Sequence, residues 1–231
     1  MERESRESNE GGRPTTSNCR ILILGGSKGG CGRSTLAKNL LVLAGQGGIR
    51  AIGIDFDAQR TLAKWARRRA VAREKLSEVV PVEVIEGTLD QWPSIVRQIS
   101  SYQLAVVDTA PGIEHDMSDI LALCKEAALV LVPTSPNYDD LESVIPWGAS
   151  LKKIGSHSAF VLNKANRRTK SFNSARSTLL KHGNLAPIEV PVLEDIATPS
   201  SSGLAVVDFA KGKGADVMVD LWRYASREVG L

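Results

Sequence analysis

Ser27-Lys28-Gly29-Gly30-Cys31-Gly32-Arg33-Ser34-Thr35 follows directly on the apolar run Ile21-Leu22-Ile23-Leu24. A strand that ends in a glycine-rich turn and opens a helix is how proteins hold nucleotide phosphates. The glycines let backbone N–H groups point at the oxygens, and the helix N-terminus adds positive potential. Gly29, Gly30 and Gly32 permit that approach, with Cys31 among them. Ser34 offers the hydroxyl that binds Mg²⁺ in such loops, and Thr35 follows at the helix start. Two details set this loop apart: Lys28 stands at its front, and Arg33 fills the place before Ser34 where such loops have lysine.

Outward from the loop, strand and helix patterns alternate. Apolar runs predict strands over 20–26, 51–56, 104–108, 128–133, 159–162 and 187–192. Helical patterns fall over 34–44, 59–75, 117–127, 140–152, 171–182 and 215–229, the last with Val217, Leu221, Trp222 and Ala225 on its core face. Short apolar strands alternating with helices predict an α/β fold, a mostly parallel twisted sheet flanked by helices on both faces. No repeat or linker divides the chain, so 19–231 reads as a single domain. Residues 1–18 alternate charges with Ser, Asn and Gly without an apolar period and read as a disordered polar tail.

Composition narrows the class. A chain of 231 residues builds one ordinary domain with a real core, and a net charge of +3 is too small to name a partner. Cys19, Cys31 and Cys124 form no C-x-x-C pair, which argues against a cysteine metal cluster and for a reducing, cytoplasmic setting. No apolar run approaches the ~18 residues that span a bilayer, and the first residues lack the apolar segment of a signal peptide.

Two more stretches carry carboxylates to predicted strand ends, where ligands of open α/β sheets bind. Asp55-Phe56-Asp57-Ala58-Gln59 ends the second strand, and its acids can hold Mg²⁺ waters or orient an attacking water. Leu104-Ala105-Val106-Val107-Asp108 is an apolar strand closed by Asp, the Walker B pattern, whose carboxylate reaches Mg²⁺. Two segments are basic. The first, over 60–75, holds Arg60, Lys64, Arg67, Arg68, Arg69, Arg73 and Lys75 against Glu74 alone. The second holds Lys164, Arg167, Arg168, Lys170, Arg176 and Lys181 with no acid in the segment. Such clusters neutralise DNA phosphates without reading sequence, and they also serve as ordinary solvated helix faces.

Together these residues resemble the ParA/MinD ATPases with a deviant Walker A loop. Lys28-Gly29-Gly30-x-Gly32-x-Ser34-Thr35 is similar to the family's K-G-G-x-G-K-S/T-T, Asp55-x-Asp57-x-Gln59 to its D-x-D-P-Q, and Asp108-Thr109-Ala110-Pro111 to its D-T/C-P-P. Val132-Pro133-Thr134-Ser135-Pro136 with Asp139-Asp140-Leu141 resembles the segment after the family's fifth strand, and Asn163 matches a position near the adenine. The resemblance runs from about residue 20 to 229. The continuation Thr61-Leu62-x-x-Trp65 is most like the small ParA relatives that serve plasmid partition or cargo positioning.

The resemblance implies a cofactor pair, ATP and Mg²⁺, and a cycle in which ATP closes a sandwich homodimer. Lys28 would cross to the nucleotide of the other protomer, Asp57 would orient the hydrolytic water, and Asp108 would hold Mg²⁺ with Ser34, with Asp55 nearby. It also implies a cargo adaptor or centromere-binding protein that stimulates hydrolysis, and non-specific nucleoid DNA as a track. Several departures qualify this. Arg33 is broader than lysine: either the charge offered to phosphate is displaced, which slows turnover or leaves a nucleotide-gated switch, or arginine substitutes for lysine with a small backbone adjustment. Ala58 and Ala110 stand where the family has proline. Val192-Leu193-Glu194-Asp195 is acidic where many relatives carry a basic residue, which moves any DNA surface to the segment from Lys164 to Lys181. The chain closes on Arg227-Glu228-Val229-Gly230-Leu231 rather than on a basic membrane-binding helix. A synthetase built on the same core would need a second substrate site, and no motif for one is present.

Overall fold

The computed structural model describes residues 19–110, 117–209 and 212–231. The tail over 1–18 and Pro111 lie outside the described residues.

Strand β1 (Arg20–Leu24) opens the fold and leads through the glycine loop into helix α1 (Arg33–Gln46). There follow β2 (Ala51–Asp55), α2 (Thr61–Arg73), β3 (Glu83–Glu86), α3 (Trp92–Gln98), β4 (Leu104–Asp108) and α4 (Met117–Glu126). The second half holds β5 (Leu129–Thr134), α5 (Tyr138–Lys153), β6 (Ser158–Ala165), α6 (Lys170–His182), β7 (Asn184–Leu185), β8 (Val190–Pro191), α7 (Glu194–Ala197) and α8 (Lys213–Val229). Between α7 and α8 the chain makes two 3₁₀ turns, Thr198–Ser202 and Val206–Asp208.

The strands form one sheet in the order β3-β2-β4-β1-β5-β6-β7, with β8 also on β6, and every described pairing is parallel. This is the predicted α/β architecture. Side chains alternate across the sheet. Leu22, Leu24, Leu104, Val106, Leu129 and Leu131 face α1, α2 and α8, whereas Ile23, Ile54, Ala105, Val107, Val130 and Val132 face α3, α4, α5 and α6. The central strands are therefore buried on both faces, which is why they read as unbroken apolar runs.

Three elements depart from the sequence reading. β3 is an edge strand with glutamate at both ends, and α3 is a seven-residue helix; neither carries a periodic signal long enough to recognise. The strand expected over 187–192 is only Val190–Pro191, with β7 before it. Pro187 and Pro191 have no N–H to give a ladder. On α8 the buried stripe is Ala215, Met218, Leu221, Ala225 and Val229, while Val217 and Trp222 flank it half-buried.

Candidate nucleotide site

Register brings the site together. Across β1 and β4 Leu24 lies beside Asp108, and across β2 and β4 Asp55 lies beside Asp108. Three adjacent strands thus end at one level, and the glycine loop rises from the middle of the sheet next to both carboxylates. Thr109 Oγ1 ties β4 back to the Leu24 carbonyl at 3.0 Å.

Backbone geometry shapes the loop. Gly30 and Gly32 have φ of 73° and 98°, in the region that favours glycine. A side chain at Gly32 would place its Cβ 2.1 Å from Asn163 Nδ2. Asn163 uses that space to donate to the Cys31 carbonyl at 2.6 Å, so it braces the loop from β6. Helix α1 starts with no side-chain cap and no acid in its first turn, leaving its leading N–H groups open to an anion.

Arg33 is buried, and its guanidinium turns back over the loop. Nη1 donates to the Gly26 carbonyl at 3.0 Å and the Lys28 carbonyl at 2.8 Å, and it lies 3.4 Å from Cys31 Sγ. Nη2 and Nε make no hydrogen bond to a described residue. One arm of the fork therefore staples the loop and the other is left over.

Asp108 is fully buried; the Ser34 hydroxyl lies against its carboxylate, but neither oxygen accepts a hydrogen bond of good geometry from a described residue. Burial pushes its pKa up to about 7; Ser34 and Arg33 nearby act in the lowering direction and Asp55 in the raising one. A bare buried carboxylate is costly, and a divalent cation shared with the Ser34 hydroxyl would remove that cost. Asp55 differs. Its Oδ1 accepts the Asp57 N–H at 3.0 Å and its Oδ2 the Ala63 N–H at 2.9 Å, so it stiffens the turn between β2 and α2. Burial still raises its pKa against those bonds. Asp57, half-buried on that turn, accepts the Gln59 N–H at 2.8 Å.

Lys28 lies exposed at the loop front, with Gly29 and Gly30 exposed beside it. Its Nζ lies 2.8 Å from Asp140 Oδ1 on α5, and Asp140 Oδ2 accepts the Ser135 hydroxyl at 2.5 Å. Burial acts to raise the Asp140 carboxyl, but the bonds from Lys28 and Ser135 outweigh it and hold it below its ordinary value. The Asp140 contact in turn raises Lys28. Asp140 and Ser135 entered the sequence reading only as part of a resemblance, and Lys38 did not enter it. Lys38 is buried on α1, donates to Ser200 Oγ at 2.9 Å, and has a pKa lowered by burial. A lysine on a helix otherwise dominated by Leu36, Ala37, Leu40, Leu41 and Val42 is the signal the sequence offers for it.

The basic segments are partly spent on structure. Glu189, from outside the second segment, pairs with Arg167 and lies 4.0 Å from Arg176 Nε. Lys164, Arg168, Lys170 and Lys181 remain exposed on one edge. In the first segment Arg69 is buried against Asp208, and Arg60 and Arg67 meet Glu86.

A stapled glycine loop under an open helix end, next to a bare strand-end carboxylate, defines a P-loop nucleotide-binding protein of the α/β type. The chain belongs to the CobQ/CobB/MinD/ParA nucleotide-binding domain family, matched over residues 22–206. It is similar to a maintenance of carboxysome distribution protein A from Gloeobacter kilaueensis, 29% identical over 146 residues. That match takes in 59% of this chain and spans 62% of the length of that relative. Among solved structures, MinD of Pyrococcus horikoshii complexed with Mg-ADP superposes with a TM-score of 0.72 at 20% identity, covering 92% of this chain and 98% of that one. An alanine variant of Cyanothece McdA in complex with ATP gives 0.70 at 14% identity, covering 93% and 98%. Among the described residues no helix is long and apolar enough to cross a membrane.

Proposed function

We propose that this chain is a Mg-ATP-dependent ATPase of the ParA type that closes a sandwich homodimer on ATP and positions DNA or a protein cargo. The observation that carries this reading is Asp108, fully buried with no cationic partner and with only the Ser34 hydroxyl against its carboxylate at the foot of the glycine loop. The loop N–H groups from Gly29 to Thr35 would hold phosphate oxygens, and Ser34 with Asp108 would hold Mg²⁺. When bound, Mg-ATP supplies the transferable phosphoryl group and the metal charge that steadies it. Asp57, on the turn fixed by Asp55, would orient water. Lys28 would leave Asp140 for the nucleotide of the other protomer, coupling assembly to charge stabilisation. The names of the relatives agree with this reading: one is a carboxysome distribution protein, and solved neighbours carry Mg-ADP and ATP. The exposed cations Lys164, Arg168, Lys170 and Lys181 are the surface proposed for non-specific DNA, with a cytoplasmic, nucleoid-associated setting. An adaptor or centromere-binding protein would stimulate the cycle.

A second reading rests on Arg33. Its three contacts inside the loop favour a nucleotide-gated switch with little hydrolysis. Phosphate release with Mg-ATP, with and without non-specific DNA, together with the solution mass separates the two. Turnover with an ATP-dependent dimer supports the ATPase; a dimer without turnover supports the switch; neither one nor the other overturns both.

A further inference from the structure

Helix α2 buries one stripe, Leu62, Trp65 and Arg69, and leaves another largely exposed. Arg68, Val71 and Ala72, continued past the helix end by Lys75 and Leu76, recur at helical spacing. With Ser201, Ser202 and Leu204 they line a groove of about 510 Å³. Its floor is apolar: Val71 is 57% exposed and Leu76 36%. Arg68 and Lys75 rim it; Arg68 donates from Nε and Nη2 to the Ser200 carbonyl at 3.4 and 3.3 Å and keeps its charge unpaired, Lys75 makes no ion pair with a described residue, and no carboxylate lines the groove. The wall opposite the helix is held firm. Trp65 Nε1 donates to the Leu204 carbonyl at 3.1 Å, Lys38 reaches Ser200, and Arg69 clamps Asp208.

We infer that this groove receives an amphipathic helix of a partner protein, two to three turns long, with an apolar stripe flanked by glutamate or aspartate. A firm-walled trough of apolar floor and cationic rim fits a helix laid in a groove, with its acids set against Arg68 and Lys75. A membrane surface fits less well. The apolar strip is concave and only a few side chains wide, whereas interfacial helices present a broad convex face. None of the residues lining the groove belongs to the glycine loop or to the strand-end carboxylates, so the inference stands apart from the ATPase reading.

The test uses the full chain and three synthetic probes. One is an 11-residue helix, about three turns, with leucines at i, i+3, i+7 and flanking glutamates; the second replaces the glutamates with lysines; the third replaces the leucines with serines. Fluorescence anisotropy is expected to show binding of the first probe alone, weakened at least tenfold by Val71→Asp and by the double change Arg68→Glu, Lys75→Glu. Circular dichroism melts show that the variants stay folded, and Leu76→Ser serves in place of any variant that does not. Equal binding of all three probes, no binding, or binding untouched by the groove changes overturns the inference. So does sedimentation with anionic phospholipid vesicles in the absence of peptide binding, or a nucleotide-independent dimer broken by Val71→Asp.

Discussion

At the glycine loop the two readings of function turn on Arg33 and Asp108. Arginine keeps a positive charge in the loop but spends one nitrogen on Gly26, Lys28 and Cys31, which leaves the charge centre set by the loop rather than by a phosphate. Arg33→Lys is expected to raise ATP turnover, by as much as ~100-fold if the charge is displaced by about 1 Å, as read by phosphate release; an unchanged rate removes the argument. Asp108 gives a pH signature. Its folded pKa of about 7 lies above the ordinary 3.8. Between those values the folded protein holds a proton that the unfolded chain has released, so stability falls as pH climbs through that window and stays lower above it. Without nucleotide or Mg²⁺, Asp108→Asn is therefore expected to melt higher than the parent at pH 8, with the difference vanishing toward pH 4. A melting difference that does not change between those pH values contradicts it.

Among the elements, α2 joins the turn that carries Asp57 to the 3₁₀ turn Val206–Asp208 on the same face of the sheet. Arg69 makes the join: its fork meets both Asp208 oxygens at 2.7 and 2.8 Å, Nε meets the Val80 carbonyl, and its guanidinium stacks over Trp65. Removing one partner of such a buried pair strands the other. Arg69→Met is expected to cost about 3–5 kcal/mol in urea unfolding, while Arg67→Met, on the exposed face, costs under about 1 kcal/mol. The sequence announces elements of this kind unevenly. β1, β4 and β5 are legible because strands buried on both faces read as continuous apolar runs. β3 is too short and its ends too acidic to stand out. The site divides in the same way. Lys28, the glycines, Ser34 and Asp108 are local patterns a reader can find. That Arg33 folds inward, that Asp55 is taken up by backbone N–H groups, and that Lys28 meets Asp140 depend on elements far apart in the chain. No local pattern encodes those meetings.

For the whole molecule, exposed cations gather on the β6–α6 edge, whereas Arg60, Arg67 and Arg69 of the other basic segment are taken up by Glu86 and Asp208. Replacing Arg168 and Lys170 together with alanine is expected to lower the salt slope of DNA binding by about 2 while leaving nucleotide affinity unchanged. Filter binding across a salt series reads this, and an unaltered slope moves the DNA surface elsewhere. The strand order has a further consequence. β1 stands at the centre of the sheet, yet both of its neighbours, β4 and β5, come later in the chain. On the ribosome, Ile21-Leu22-Ile23-Leu24 emerges with both edges bare until synthesis has passed Asp108 and then Thr134, more than half of the chain. Of the described strands, β1 thus waits through the longest stretch of synthesis for both of its neighbours. Long-range parallel pairing of this kind folds slowly and exposes sticky edges meanwhile, so this fold favours a cell that shelters its nascent chains.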